Sequence, residues 1–342
     1  MKIQKKSKQG STPQVQNKKR KTARKVRNKR ENKIISTSLV LSVFLCIAAV
    51  VLGFMANSYT SDYATEKSDT VLVESTEDIT KLGKAIYNDK LYLQNDIHIT
   101  DPSFRIGSAE YPFAGILEGN GHSVFLDYSE ADEGVTLFDC LAITAQIRNV
   151  NFVYTNINLT GVEFGGIAKI NDGIIENCKL IYNSVKVSCE GKFSPFVIIN
   201  RGIIRNVFVD GKTVIGNVAP EKEKNVFFGN LCVYNAGEIS GIIVRTDFEG
   251  FESTDKLKNL KGEASNHAIS AVRYSDVGSA TTTKIAAILP DDVQICDQTK
   301  GAELLSSAEV FIADKIFYYF DFNNSYWKIE GESIKLIKEG ER

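Results

Sequence analysis

The chain has 342 residues, 43% of them hydrophobic, and a formal charge of −1, which allows one large folded domain with tails. The balance hides an asymmetry. Residues 1–33 carry ten Lys and four Arg against one Glu, a net +13, residues 34–61 carry no charge, and the remainder carries −14. Nucleic-acid binding is thereby confined to the basic head, and the long apolar run directly after that head argues against it.

The head is rich in Gln, Asn and Ser and almost free of large apolar side chains. It cannot bury enough surface to offset its chain entropy, so residues 1–33 are expected to be a disordered cytoplasmic tail. Ile34 to Met55 is a run of 22 residues without a charge. A helix of that length spans ~33 Å, enough to cross the hydrocarbon core of a bilayer. With the Lys/Arg excess on one side only, the positive-inside rule places the N-terminus in the cytoplasm and the remainder outside. A cleaved secretory signal, with Val51-Leu52-Gly53 as its cleavage site, is the alternative. The run is long for that, and the small-residue pattern is poor, so an uncleaved signal-anchor is preferred. Cys46, inside the run, lacks the preceding small residues of a lipid-modified cysteine. Residues 56–73 read as a polar linker.

Ser75-Thr76-Glu77-Asp78 has a capping arrangement, and Ile79, Leu82 and Ile86 come after it at helical spacing. A short amphipathic helix is expected there, laid over the first turn of the folded domain. Leu91 to Ile99 alternates as a first strand.

The centre of the chain repeats itself. Asn171-Asp172-Gly173-Ile174-Ile175-Glu176-Asn177-Cys178 matches Asn200-Arg201-Gly202-Ile203-Ile204-Arg205-Asn206-Val207 at an offset of 29 residues. Further copies lie at Ala145–Val150 and at Gly237–Ile242, the last offset by 35 residues. Each unit holds short β-branched runs broken by Gly and Asn, with no helical stripe. Such units close their cores only against their neighbours, and a coil of short parallel strands fits them best.

These residues also carry a resemblance. LYLQNDIHIT, YPFAGILEGNGHSVFLDY, AQIRNVNF and FGGIAKINDGIIENCKL in this order, closed by Phe320-Asp321-Phe322 and Trp327, resemble the GLUG-repeat bacterial surface proteins. Residues 165–178 match the family pattern closely. The 196–207 copy has Ser194-Pro195 in place of the leading Gly pair, and the 229–242 copy has Gly241 where Asn is usual. The resemblance implies an all-β fold, a right-handed parallel β-helix (solenoid), over about residues 74–337, with 338–342 as a C-terminal tail. It implies little about activity, because one fold hosts many functions.

The alignment assigns columns. Ile147, Ile175, Ile204 and Ile239 share one, and a bend at Asn149, Asn177 and Asn206 would turn both this column and the Val/Cys column inward. The same Asn column is expected to form an amide ladder at the corner, with Gly173, Gly202 and Gly237 taking positive φ. Asn151 and Asn158 read as ordinary turn residues. Arg148, Glu176, Arg205 and Ser240 form an outward column, read as a solvated charge ladder rather than an active site. Cys140, Ala168, Val197 and Cys232 are placed in one column. With Cys140 and Cys232 three turns apart, ~14 Å, a disulfide is excluded, and Cys140, Cys178, Cys189, Cys232 and Cys296 are expected to be buried and reduced.

No catalytic, metal or cofactor site emerges. His98, His122 and His267 are scattered, His122 reading as a turn-exit residue after Gly119-Asn120-Gly121. Asp172 faces Arg201 and Ala236, and Asp139 has no acidic partner in its column. Loop 127–133, with Asp127, Asp132 and Glu133, and the charged insertion 249–265 are the places where a site could still form. Arg273–Leu289 reads as one more degenerate turn, with a short helix after it near Gly301–Ser307. The aromatic stretch Ile312–Ile337 is expected to seal the C-terminal end rather than to stack sugars. The functional expectation is a membrane-anchored cell-surface protein with a non-catalytic binding, adhesion or structural role and an extracellular protein or polysaccharide ligand. A glycan-binding module is the alternative, and a polysaccharide lyase or hydrolase the third reading.

Overall fold

The computed structural model describes residues 70–82, 89–127, 136–159, 161, 163–187, 191–215, 226–249, 268–270, 273–289 and 302–341. All the described residues belong to one compact unit, Glu66–Arg342. The expected tail 1–33, the apolar run 34–55, most of the linker, Cys46, Cys189, Cys296 and His267 lie outside them. Among the described residues no helix is long and apolar enough to cross a membrane.

The fold is all-β with parallel sheets. In the repeat region each turn of chain contributes one strand to each of three sheets. One turn gives Glu163–Gly165, Ala168–Asn171 and Ile174–Val187, the next Gly191–Ser194, Val197–Asn200 and Ile203–Ile215, the next Val226–Gly229, Cys232–Asn235 and Glu238–Glu249. Equivalent strands of successive turns pair in parallel. Ala268–Ser270, Arg273–Asp276 and Thr281–Ile288 add the degenerate turn expected over 273–289, and Ala302–Leu304 adds a last edge strand.

The repeat makes its core by columns. Leu91, Leu117, Ile147, Ile175, Ile204 and Ile239 stand in register and have no solvent exposure. Cys178, Val207 and Ile242 form the next inward column, three residues on. Two inward positions at odd spacing require the bend that the sequence implied, and it lies at Asn149, Asn177 and Asn206. These have φ of 57°, 50° and 54°, and Gly241 takes the same place at 63°. Asn tolerates the left-handed region better than other side-chain-bearing residues, and Gly suits it best, which accounts for the exchange in the fourth copy.

Two column assignments are therefore corrected. Gly173, Gly202 and Gly237 do not have positive φ. They are glycine because a Cβ on each would strike the carbonyl oxygen of Ala145, Gly173 or Gly202 on the turn before. Those carbonyls accept the amides of Ile174, Ile203 and Glu238 at 2.8–2.9 Å, so the close approach is part of the sheet. The amide ladder forms at the other corner. Asn171 Nδ2 donates to Asn200 Oδ1 and Asn200 Nδ2 to Asn235 Oδ1, both at 2.8 Å, and Asn235 Nδ2 donates to Asp276 at 3.1 Å. All three Asn are fully buried, so the ladder satisfies polar groups that no water reaches.

The N-terminal end starts earlier than expected. Thr70–Val73 is a strand in register with Lys90–Leu93, so the last four residues of the assigned linker belong to the sheet. The expected first strand is two, Lys90–Leu93 and Ile97–Ile99. The helix Thr76–Leu82 lies over this turn, with Ile79 in the core and Thr76 bonded to the backbone of His98. Its cap is the carboxylate of Asp78, which accepts the amide and hydroxyl of Ser75 at 2.8 and 3.0 Å. Asn151 and Asn158, expected in turns, both lie within the strand Asn151–Leu159.

The largest departure concerns the C-terminal segment. The short helix expected near Gly301–Ser307 lies later, at Ser307–Val310, and Ala302–Leu304 is the edge strand. The aromatic stretch does not close the end of the stack. It forms a strap along one side, running from the last turns back towards the first. Asn206 donates to the Asp321 carbonyl, Trp327 Nε1 to Asn177 Oδ1 at 3.2 Å, and Lys179 Nζ to the Ile334 carbonyl at 2.7 Å. Lys338 Nζ then reaches Asp96 at 3.1 Å and the Glu339 amide the Asn120 carbonyl at 3.2 Å, so the assigned tail is anchored to the first turns. The strap covers the outward column Phe208, Ile243 and Ala286, and these join Val310, Phe311, Phe320, Phe322 and Trp327 in a second apolar core.

Candidate functional site

The aligned carboxylates are the natural candidates for catalytic groups, and each is bound to a cation on the adjacent turn. Asp172 takes Arg201 in a two-pronged bond with both distances 2.6 Å, and Glu176 takes Arg205 at 2.6–2.7 Å. Glu118, almost fully buried, takes Arg148 at 2.7 Å and the Asn149 side-chain amide at 2.8 Å. Asp139 lies 3.7 Å from Lys169. The parallel register produces these pairs directly, because Glu176 and Arg205, like Glu118 and Arg148, are Cα partners. Among the described residues no three His, Cys, Asp or Glu side chains gather as metal ligands would.

The remaining sequence candidates are dispersed. His98 stacks on Phe125 with ring centroids 4.3 Å apart, and His122 Nδ1 lies 3.2 Å from Asp96. Asp127 ends the first turns, whereas Asp132, Glu133 and all of 249–265 beyond Glu249 lie outside the described residues. Cys178 and Cys232 are buried as expected. Cys140 is not: it pairs with Ile170, two positions along from the Phe138–Ala168–Val197–Cys232 line, and is half-buried. Burial, then the charges of Asp139 and Asp172, raises its thiol pKa, and burial raises that of Cys178 much further.

A concave feature lies elsewhere, on the outer face of the four long strands beside the strap. It is a groove of about 520 Å³ with Ile181, Asp210, Lys212, Arg245 and Asp247 on its walls. Three local facts shape it. Ile174–Val187 carries one residue more than Ile203–Ile215 between Tyr182 and Val185, a bulge in the wall of the groove. Opposite Tyr182 stands Gly211, where a Cβ would run into the buried Tyr182 ring, so only glycine fits at this point of the floor. Behind that floor the Tyr182 hydroxyl bonds Asn230 and lies 3.2 Å from Thr213, and burial pushes its pKa up to about 12. It is a support for the floor and stays protonated.

Arg245 is the most constrained group in the groove. It holds Asp210 through two bonds of 2.9 and 2.6 Å and donates to the strap's Glu332 carbonyl at 2.6 Å. Its guanidinium also lies 5.6 Å from the rings of both Phe208 and Phe311. The bond to Asp210 raises its pKa above the usual arginine value. The sequence contained a signal for this pair. The 35-residue offset between Asn206 and Gly241 also separates Asp210 from Arg245, one further rung of the outward charge pattern seen at Glu176 and Arg205. Compared with family models, with curated proteins and with solved structures, the chain matches none.

Proposed function

We propose that the chain is a GLUG-type surface protein: a right-handed parallel β-helix, anchored by residues 34–55 with its N-terminus in the cytoplasm, that serves outside the cell as a non-catalytic binding or structural module. The observation that carries the non-catalytic part is the pairing of Asp172, Glu176, Asp210 and Glu118, each with an arginine of the next turn. A carboxylate so held is poorly placed for catalysis, because its lone pairs are aimed at the guanidinium rather than at a substrate. The parallel stacking, the repeated Ile and Asn columns and the basic N-terminal flank support the fold and the orientation.

The experiment is to mix the soluble part from about Ser68 onward with a panel of bacterial and host polysaccharides, tracking glycan length and protein mobility on one gel series. Both apolar cores lie within that part, which suits it to separate expression. Unchanged glycan is the expected outcome. Shortened glycan would overturn the non-catalytic reading. Retarded protein with intact glycan would select the glycan-binding form of the proposal, and no change in either would select a protein partner or a structural role.

A further inference from the structure

We propose that the groove beside the strap, between Asn183, Asp210, Lys212 and Arg245, binds a segment of a neutral saccharide chain. This rests on the non-catalytic binding reading above and adds a place and a ligand class to it. Of the strands that form the floor, Ile203–Ile215 is paired along both edges, and Glu238–Glu249 is paired along both as far as Arg245. Up to Arg245 a peptide has no free strand edge to join, and recognition there falls to outward side chains. Those side chains alternate in sign across adjacent strands. Asp210 and Asp247 carry two negative charges, Lys212 and Arg245 two positive ones, and the Asn183 amide both donates and accepts. A polyanion would meet both aspartates and a polycation both cations. A neutral chain of hydroxyls, which donate and accept in close alternation, can donate to Asp247 and accept from Lys212 and the Asn183 amide, while Asp210 and Arg245 hold each other.

Two more features fit. Ile181, Ile288 and Leu289 add an apolar wall against which the C–H face of a sugar ring would lie. The volume, about 520 Å³, falls within the ~300–1,000 Å³ usual for small-ligand sites. The polar groups are also fixed in advance: Arg245 is held by Asp210, by the Glu332 carbonyl and between two rings, so little of its side-chain freedom remains to be lost on binding. Among the described residues the groove has no exposed aromatic ring for sugar stacking, because Phe208 and Phe311 are spent on Arg245 and the strap. Binding should accordingly be weak and dependent on hydrogen bonds.

The test uses the full chain in mild detergent and saturation-transfer NMR. The probes are neutral β-1,4-linked tetrasaccharides of glucose and of N-acetylglucosamine, with a sulfated tetrasaccharide as the charged control. The expected result is transfer to a neutral probe, little to the sulfated one, and binding about three- to tenfold weaker in each of Lys212→Ala and Asp247→Asn, the loss of one net hydrogen bond. Both positions lie at the rim, outside the two apolar cores, and far-ultraviolet circular dichroism verifies that the variants fold. Neutral binding that neither variant alters would overturn the groove as the site while leaving a saccharide-binding surface protein intact. Equal or stronger transfer to the sulfated probe would overturn the neutral ligand class. No transfer to any probe would overturn the inference and leave the surface-protein reading to a protein partner.

Discussion

Replacing Trp327 with Ala should release the strap while leaving the stacked turns folded. Trp327 is 1% exposed, lies edge-on to Phe322 with centroids 5.1 Å apart, and donates its indole N–H to Asn177. Truncating a buried Trp costs about 3–5 kcal/mol, mostly as cavity and lost transfer energy. The columns Ile147–Ile175–Ile204–Ile239 and Cys178–Val207–Ile242 belong to a different apolar core, which this change does not touch. The strap should therefore open on its own, as a local unit of lower stability. Hydrogen exchange reads this directly. The Trp327 and Ile337 amides, bonded inside the strap, should lose about two to three and a half orders of magnitude of protection, at ~1.4 kcal/mol per factor of ten. The Ile203 and Glu238 amides, bonded between turns, should keep theirs. Phe208→Ser attacks the same interface from the other side and should give the same pattern. Equal loss of protection at both sets of amides would refute the division into two cores, and no loss at either would refute the docking role of Trp327.

The geometry sets four further outcomes. Gly202→Ala should cost several kcal/mol, because its Cβ would drive into the Gly173 carbonyl, whereas Asn206→Gly should cost only about 1 kcal/mol through the lost bond to the strap; urea titration of the two separates close packing from positive φ. Asn200→Ala removes the middle of the buried ladder and should cost about 2–4 kcal/mol by leaving Asn171 and Asn235 short of partners, with thermal unfolding as the readout. At Asp96, burial works to raise the pKa, but the Ser123 amide, Lys338 and His122 outweigh it and hold the carboxyl below its ordinary value. A lowered folded-state pKa gives stability that is present above the unfolded value, ~3.9, and lost as pH falls through the folded one, so the melting difference between wild type and Asp96→Asn should be flat at neutral pH and close only below about pH 4. Thiol labelling read by mass spectrometry should modify half-buried Cys140 in the native protein and spare Cys178 and Cys232; labelling of Cys178 at a comparable rate would contradict its placement in the core.

The repeat makes part of this fold legible and misleads in part. A 29-residue offset aligns Ile175 with Ile204 and Glu176 with Arg205, and the structure pairs those residues. Alignment fixes which residues share a column but not what the column does. Two columns, Asn and Gly, could each serve a tight bend, and only the backbone decides: the left-handed residue is Asn, and the Gly is there because neighbouring turns touch. Cys140 departs from its expected column for a related reason. Its turn begins before the repeat is regular, so its register is an extrapolation from later turns, and the true pairing of Ala168 is with Phe138.

The strap was legible in principle, from the stack rather than from its own residues. A strand with one wet face alternates polar and apolar, and Lys179 obeys that rule between Cys178 and Leu180. On the next three turns the rule fails at the same position: Val207-Phe208-Val209, Ile242-Ile243-Val244 and Ile285-Ala286-Ala287 are apolar throughout. A failure confined to one outward column on consecutive turns means that something apolar covers that column. Two residues further on the polar pattern returns as Asp210 and Arg245, which marks where the cover ends and the groove begins. The repeat thus specifies the core, and its local violations specify what the core carries on its outside.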